Sequence, residues 1–115
     1  MLDFLYSLVP LWLRPRRILD MRQRASQWRA IREAHLLKEP ACVACGRLAN
    51  LEVHHIVPVS VSPALERDPH NLITLCASPC HITFGHFMNY HCYNTDVRKM
   101  AAEYRKAMLK RKCKQ

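Results

Sequence analysis

Leu51-Glu-Val-His54-His55-Ile-Val-Pro58 lies between two cysteine pairs, Cys42-Val-Ala-Cys45 upstream and Cys76-Ala-Ser-Pro-Cys80 downstream. The apolar stretch Asn71-Leu-Ile-Thr-Leu75 leads into the second pair, and His81 follows it directly. Leu51, Val53 and His55 alternate with Glu52, His54 and Ile56, which predicts a β-strand over 51–56. Successive side chains of a strand point to opposite faces, so His54 and His55 cannot chelate one ion as a pair. One can bind a metal while the other activates a water, because imidazole titrates near neutrality. Four cysteines in two short knuckles offer the soft thiolate set that structural Zn²⁺ prefers. Gly46, directly after the first knuckle, lets the backbone reverse around such an ion. Four buried thiols without metal are the plainer alternative, and a zinc knuckle by itself says little about function.

Working outward, Ser26 is expected to cap a helix running to about Lys38, with Trp28, Ile31 and His35 or Leu36 on one face. Pro40 ends it. Residues 57–70 contain Pro58, Pro63 and Pro69 and are expected to be a loop, followed by a short apolar connection over 71–75. A short helix is expected from Cys80 to about Asn89. A last helix should begin at Thr95 or Asp96, with Val97, Met100, Tyr104 and Met108 facing the core. Three regions result: an apolar then Arg-rich segment 1–25, a core 26–94, and a basic helix and tail 95–115.

The chain has 115 residues, 50% of them hydrophobic, so it is one small domain and no disordered tail. A core of this size gains from a metal staple. The formal net charge of +9 is unevenly spread. Residues 14–32 carry seven arginines and residues 98–114 carry eight Lys/Arg, fifteen of the eighteen cations, whereas 38–96 is slightly acidic. The flanks are therefore suited to gripping a polyanion, although most charge runs are simply solvated helix faces. The pairing of four cysteines in knuckles reads as reduced metal ligands in the cytoplasm rather than a disulfide framework. Cys92 is expected to be buried, and Cys113 has no evident role. Residues 1–13 are apolar but too short to span a membrane. Asp3 replaces the basic start of a secretory leader, and packing on the domain or on a second copy is favoured over an interfacial anchor.

The pattern Trp28…Cys42-x2-Cys45-Gly46…Val53-His54-His55-Ile56-x-Pro58…Asn71-Leu72-x2-Leu75-Cys76-x3-Cys80-His81 resembles the zinc-stapled HNH endonucleases of the ββα-metal, or His-Me finger, type. The resemblance covers roughly Trp28 to His86, about half the chain, and the basic ends resemble those of small phage-type members. It implies an α+β fold, a small treble-clef-like core with flanking basic helices. Cys42, Cys45, Cys76 and Cys80 would hold structural zinc. His54 and His81 would bind a catalytic divalent metal, Mg²⁺ or another. His55 would deprotonate the attacking water, and Asn71 would hold the loop and orient His55 by a hydrogen bond. The implied activity is hydrolysis of DNA phosphodiester bonds in a bacterial or phage-infected cell, the DNA being held at its phosphates by the flanking Arg/Lys. A double-strand break would need a second copy or a larger partner.

The chain departs from the family pattern twice. Its second knuckle has three residues between the cysteines where the family usually has two. A further family histidine often lies four residues after the position of His81, but here Gly85 stands there and His86 follows. Five residues of a regular helix rotate by about 140°, so His81 and His86 are expected to face apart. His81 is then the favoured ligand, and His86 is a candidate ligand or phosphate contact. His35, His70 and His91 are expected to be structural or surface residues. The competing reading is a non-catalytic zinc module that binds nucleic acid on the same scaffold.

Overall fold

A computed structural model of the chain describes residues 16–111, with side chains described from residue 27 onward. Backbone contacts divide the chain into two units, residues 1–31 and 32–115. The described part of the first is the leading portion of helix α1 (Arg16–Lys38). This helix starts ten residues before the expected cap. Residues 16–25 contain neither proline nor glycine, so nothing in them interrupts a helix and Ser26 lies in its interior. Among the described residues, no helix is long and apolar enough to cross a membrane. The assignments made for residues 1–13 and for Cys113 lie outside the described residues.

The second unit is a small α+β fold. It begins with the last turns of α1, which close on a hydrogen bond from the Glu39 N–H to the His35 carbonyl at 2.9 Å. Pro40 removes the next donor and stops the helix. The first cysteine knuckle follows. Strand β1 (Leu51–His55) then pairs antiparallel with β2 (Leu72–Cys76), His54 opposite Ile73 and His55 opposite Leu72. The expected connection over 71–75 is thus a strand. All five residues of β2 are buried, so it reads as a continuous apolar run rather than an alternation. The intervening loop contains two short 3₁₀ turns, Pro63–Leu65 and Pro69–Asn71.

Beyond the second knuckle the chain makes a π-helical turn over His81–Gly85 instead of a regular helix to Asn89. Helix α2 (Val97–Lys110) ends the described fold. Val97 and Ala101 are buried, but Met100, Tyr104 and Met108 remain 37%, 43% and 39% exposed, so the expected core face of α2 is narrower than the apolar spacing suggested. Cys92 is exposed, contrary to expectation, because it lies in the loop before α2.

The core consists of Cys42, Ala44, Ile73, Leu75, Cys76, Cys80, Val97 and Ala101, with Leu51, Ile56 and Phe84 packed against it. Three of these eight buried residues are cysteines, so much of the interior is the thiol cluster itself. So few large apolar side chains give limited hydrophobic stabilisation, and a metal staple is the physical remedy. One polar tie runs through the unit. The Glu39 carboxylate accepts from the Thr74 N–H at 2.8 Å and from Arg98 Nη1 at 2.8 Å, while Thr74 Oγ1 donates to the Glu39 carbonyl at 2.8 Å. Burial alone would raise the Glu39 pKa, but the Arg98 guanidinium and the Thr74 N–H outweigh it and hold the carboxyl below its usual value.

Candidate active site

The turn after Cys45 is a left-handed Gly46 at φ +80°, a conformation that glycine adopts without strain. A Cβ there would also lie 2.6 Å from the guanidinium carbon of Arg105, which lies across the knuckle and donates to the Cys45 carbonyl at 3.1 Å. The turn and the ladder bring Cys42, Cys45, Cys76 and Cys80 together, their sulfurs all within 4.8 Å of one another. Cys45 and Cys76 are 3.8 Å apart. Sulfurs about 2.3 Å from a tetrahedral Zn²⁺ would be separated by roughly 3.8 Å, so the cluster has the dimensions of such a site. Burial works against ionising Cys42, but the N–H groups of Cys45, Cys76 and Ala44 pull its pKa down to about 7. Burial and the neighbouring thiols push Cys45 and Cys80 upward. One thiolate is favoured and further ones repel it, a balance that a bound cation reverses.

The second cluster is built on the opposite side of a single peptide bond, since His81 follows Cys80. On β1, Glu52 and His54 share a face. His81 sits against both: its Nδ1 is 2.5 Å from Glu52 Oε2, and its Nε2 is 3.1 Å from His54 Nδ1. The π-helical turn then brings in the third ring. In a π-helix the hydrogen bond spans five residues, so His81 and His86 meet on one side, with ring centroids 5.0 Å apart. The expected divergence of His86 assumed regular α-helical rotation and does not occur. His54, His81 and His86 each place one ring nitrogen within 4.8 Å of the other two. Gly85 makes the close approach possible, because a Cβ on it would lie 3.0 Å from His54 Nε2.

Three observations test whether these rings suit a cation. A carboxylate and a carbonyl can only accept here. His81 therefore donates Nδ1–H to Glu52, and His86 donates Nδ1–H to the Cys92 carbonyl at 2.7 Å, which leaves the lone pair of each neutral ring on Nε2. His54 is buried, and burial, followed by its neighbours His81, His86 and His55, lowers its pKa to about 3, so it stays neutral at physiological pH. Ligand nitrogens about 2.0–2.1 Å from a metal are separated by roughly 2.9–3.4 Å, and the 3.1 Å between His54 and His81 falls in that range. The donor set fits a divalent ion. Glu52 was missed by the sequence reading, although its place two residues before His54 on the same strand face was a usable signal.

His55 lies apart from this cluster. Its Nε2 donates to the Glu66 carbonyl at 2.9 Å, which puts the ring's lone pair on Nδ1. The buried Asn71 accepts from the Val57 N–H at 2.8 Å and donates to the carbonyls of Val57 and Leu65 at 3.0 and 3.2 Å. It clips the loop that carries Glu66, so its influence on His55 runs through the main chain. His35 pairs with Glu39, while His70 and His91 are exposed. Three flanking cations are also committed to the fold: Arg32 to the Leu51 carbonyl, Arg98 to Glu39 and the Leu72 carbonyl, and Arg105 to the Cys45 carbonyl.

A thiol cluster beside an imidazole cluster on a two-stranded sheet and a turn gives the chain two groups that could each hold a metal ion. The family model of HNH endonucleases matches residues 42–86, from the first cysteine to the third histidine of the two clusters. Over this segment, less than half of the chain, the protein is similar to HNH endonuclease domains, a family that is generally nucleolytic and uses divalent metals. No curated protein and no solved structure matches the chain significantly.

Proposed function

We propose that this protein is a metal-dependent endonuclease that hydrolyses DNA phosphodiester bonds, with Zn²⁺ at Cys42, Cys45, Cys76 and Cys80 holding the fold. The observation that carries the reading is the convergence of His54, His81 and His86, two of them with tautomers set by Glu52 and the Cys92 carbonyl. A divalent cation held by these three rings, Mg²⁺ or an ion better matched to imidazole donors, would neutralise charge building on the phosphate and on the leaving oxygen. His55 takes a proton from the attacking water at Nδ1. The Glu66 carbonyl, accepting from Nε2–H, steadies the imidazolium that forms. The water oxygen bonds to phosphorus, the P–O3′ bond breaks, and the 3′ oxygen leaves with the bonding pair and is then protonated. Asn71 keeps the loop, and through it His55, in place. The remaining Lys/Arg of 14–32 and 98–114 supply phosphate contacts without reading sequence.

Plasmid nicking with Mg²⁺ or Mn²⁺ tests this reading. Replacing His55 by alanine should slow cleavage by about 10²–10⁴-fold, the usual worth of a general base, while DNA binding and zinc content stay near wild type. Cleavage by His55→Ala at the wild-type rate would remove the mechanism.

A further inference from the structure

The loop between the π-helical turn and α2 carries side chains that the proposed hydrolysis does not use. Phe87, Met88 and Tyr90 are 51%, 67% and 64% exposed, large apolar groups facing solvent in three of four consecutive positions. Phe87 and Met88 adopt left-handed backbone conformations, φ 52° and 67°, which cost energy for residues with a Cβ and tend to persist at ligand-binding sites. The loop is nevertheless pinned. The Met88 N–H donates to the Ile82 carbonyl at 2.8 Å and the Cys92 N–H to the Asn89 carbonyl at 2.8 Å. Asn94 fastens the far end, its N–H to the Gly85 carbonyl at 3.0 Å and its Nδ2 to the Phe84 carbonyl at 2.9 Å. Tyr90 is thereby held as a wall of the histidine cluster. Its ring centroid is 5.0 Å from that of His86 and 6.2 Å from that of His81, yet most of the side chain faces solvent.

We propose that Tyr90 and Phe87 form a stacking platform for unpaired bases next to the scissile phosphate, so that the substrate is single-stranded DNA or an unpaired stretch within DNA. This rests on the nuclease reading of the same site. A phosphate brought to the histidine cluster must place its own nucleotide beside Tyr90. A base inside a continuous duplex has both faces covered by its neighbours and cannot use that ring, whereas an unpaired base can. Rigid exposed aromatics beside a phosphate site, on a chain of net charge +9, are the combination by which proteins hold single strands.

The test compares a single-stranded oligonucleotide carrying 2-aminopurine with the same strand annealed to its complement, both bound to zinc-loaded full-length His55→Ala protein so that cleavage does not intervene. The expected result is tighter binding of the single strand and quenching of 2-aminopurine. Tyr90→Ala and Phe87→Ala should each weaken single-strand binding on the order of tenfold, and Tyr90→Phe should keep both binding and quenching. Equal binding of the two forms, with no effect of either alanine, overturns the proposal. Hydrolysis of bis(p-nitrophenyl) phosphate, a diester without a base, by the protein with His55 intact separates the two failures. If wild type and Tyr90→Ala hydrolyse it alike but no strand preference exists, the platform alone falls. If wild type does not hydrolyse it and binds neither oligonucleotide, the nuclease reading and the platform fall together.

Discussion

The cysteine cluster and the histidine cluster share a junction, Cys80–His81, yet they sit in opposite environments. Three of the four cysteines are buried, and they form part of the apolar core. The histidine cluster has one buried ring, His54, and two at partial depth, with Glu52 and Tyr90 open to solvent around them. A closed set of four soft ligands has no room for a substrate, whereas three imidazoles leave coordination positions open. On the proposed reading, stability and chemistry are therefore assigned to neighbouring residues of the chain, Cys80 and His81. The dependence runs one way, since the thiol cluster sets where His81 starts and the imidazoles contribute little to the core.

That asymmetry can be broken most severely at Cys76. Cys76→Ser should lose the metal of the thiol cluster and with it the cooperative fold, read as loss of bound zinc by elemental analysis and loss of the thermal transition by circular dichroism. A variant that stays folded with one metal fewer would show that the core stands without its staple.

The histidine cluster should respond quite differently. Glu52→Gln removes the charge that fixes His81 and should weaken Mn²⁺ binding by about 10–100-fold in a calorimetric titration, with the zinc content and melting temperature unchanged. If melting falls together with Mn²⁺ affinity, the two clusters are not separable in the way described.

The smallest effect concerns the tie from α1 to β2 and α2. Glu39→Gln should cost about 1 kcal/mol at neutral pH, a modest figure because Arg98 is about half exposed. The sign of its pH dependence follows from the lowered pKa. The contribution is complete above the ordinary value of 4.5 and is lost as pH falls through the folded-state value, so wild type and variant should converge under acid. Denaturant melts of both proteins between pH 7 and pH 3 check it, and a gap that widens on acidification would contradict the assignment.

Much of this was legible in the residues because metal ligands have fixed chemistry and short spacings. The two knuckles, Gly46 and the alternation around His54 needed no tertiary knowledge. β2 was not legible, because Leu72–Cys76 is covered on both faces and shows no period of two. The start of α1 was misplaced because Ser26 is a favoured cap residue, whereas its cost inside a helix is small and residues 16–25 carry no proline or glycine to stop one. Met100, Tyr104 and Met108 follow helical spacing, but spacing cannot say how much of a stripe a small core will cover. Asn71 was recognisable, but that its bonds run to Val57 and Leu65 is a property of the loop's path.

The π-helical turn at His81–Gly85 also bears on how such sites are searched for in other chains. It absorbs one inserted residue locally, so a histidine displaced by a single position still reaches its partners. A pattern that demands a rigid interval of four between these histidines would discard such a chain, whereas one that tolerates five when a glycine stands just before the second ring would retain it.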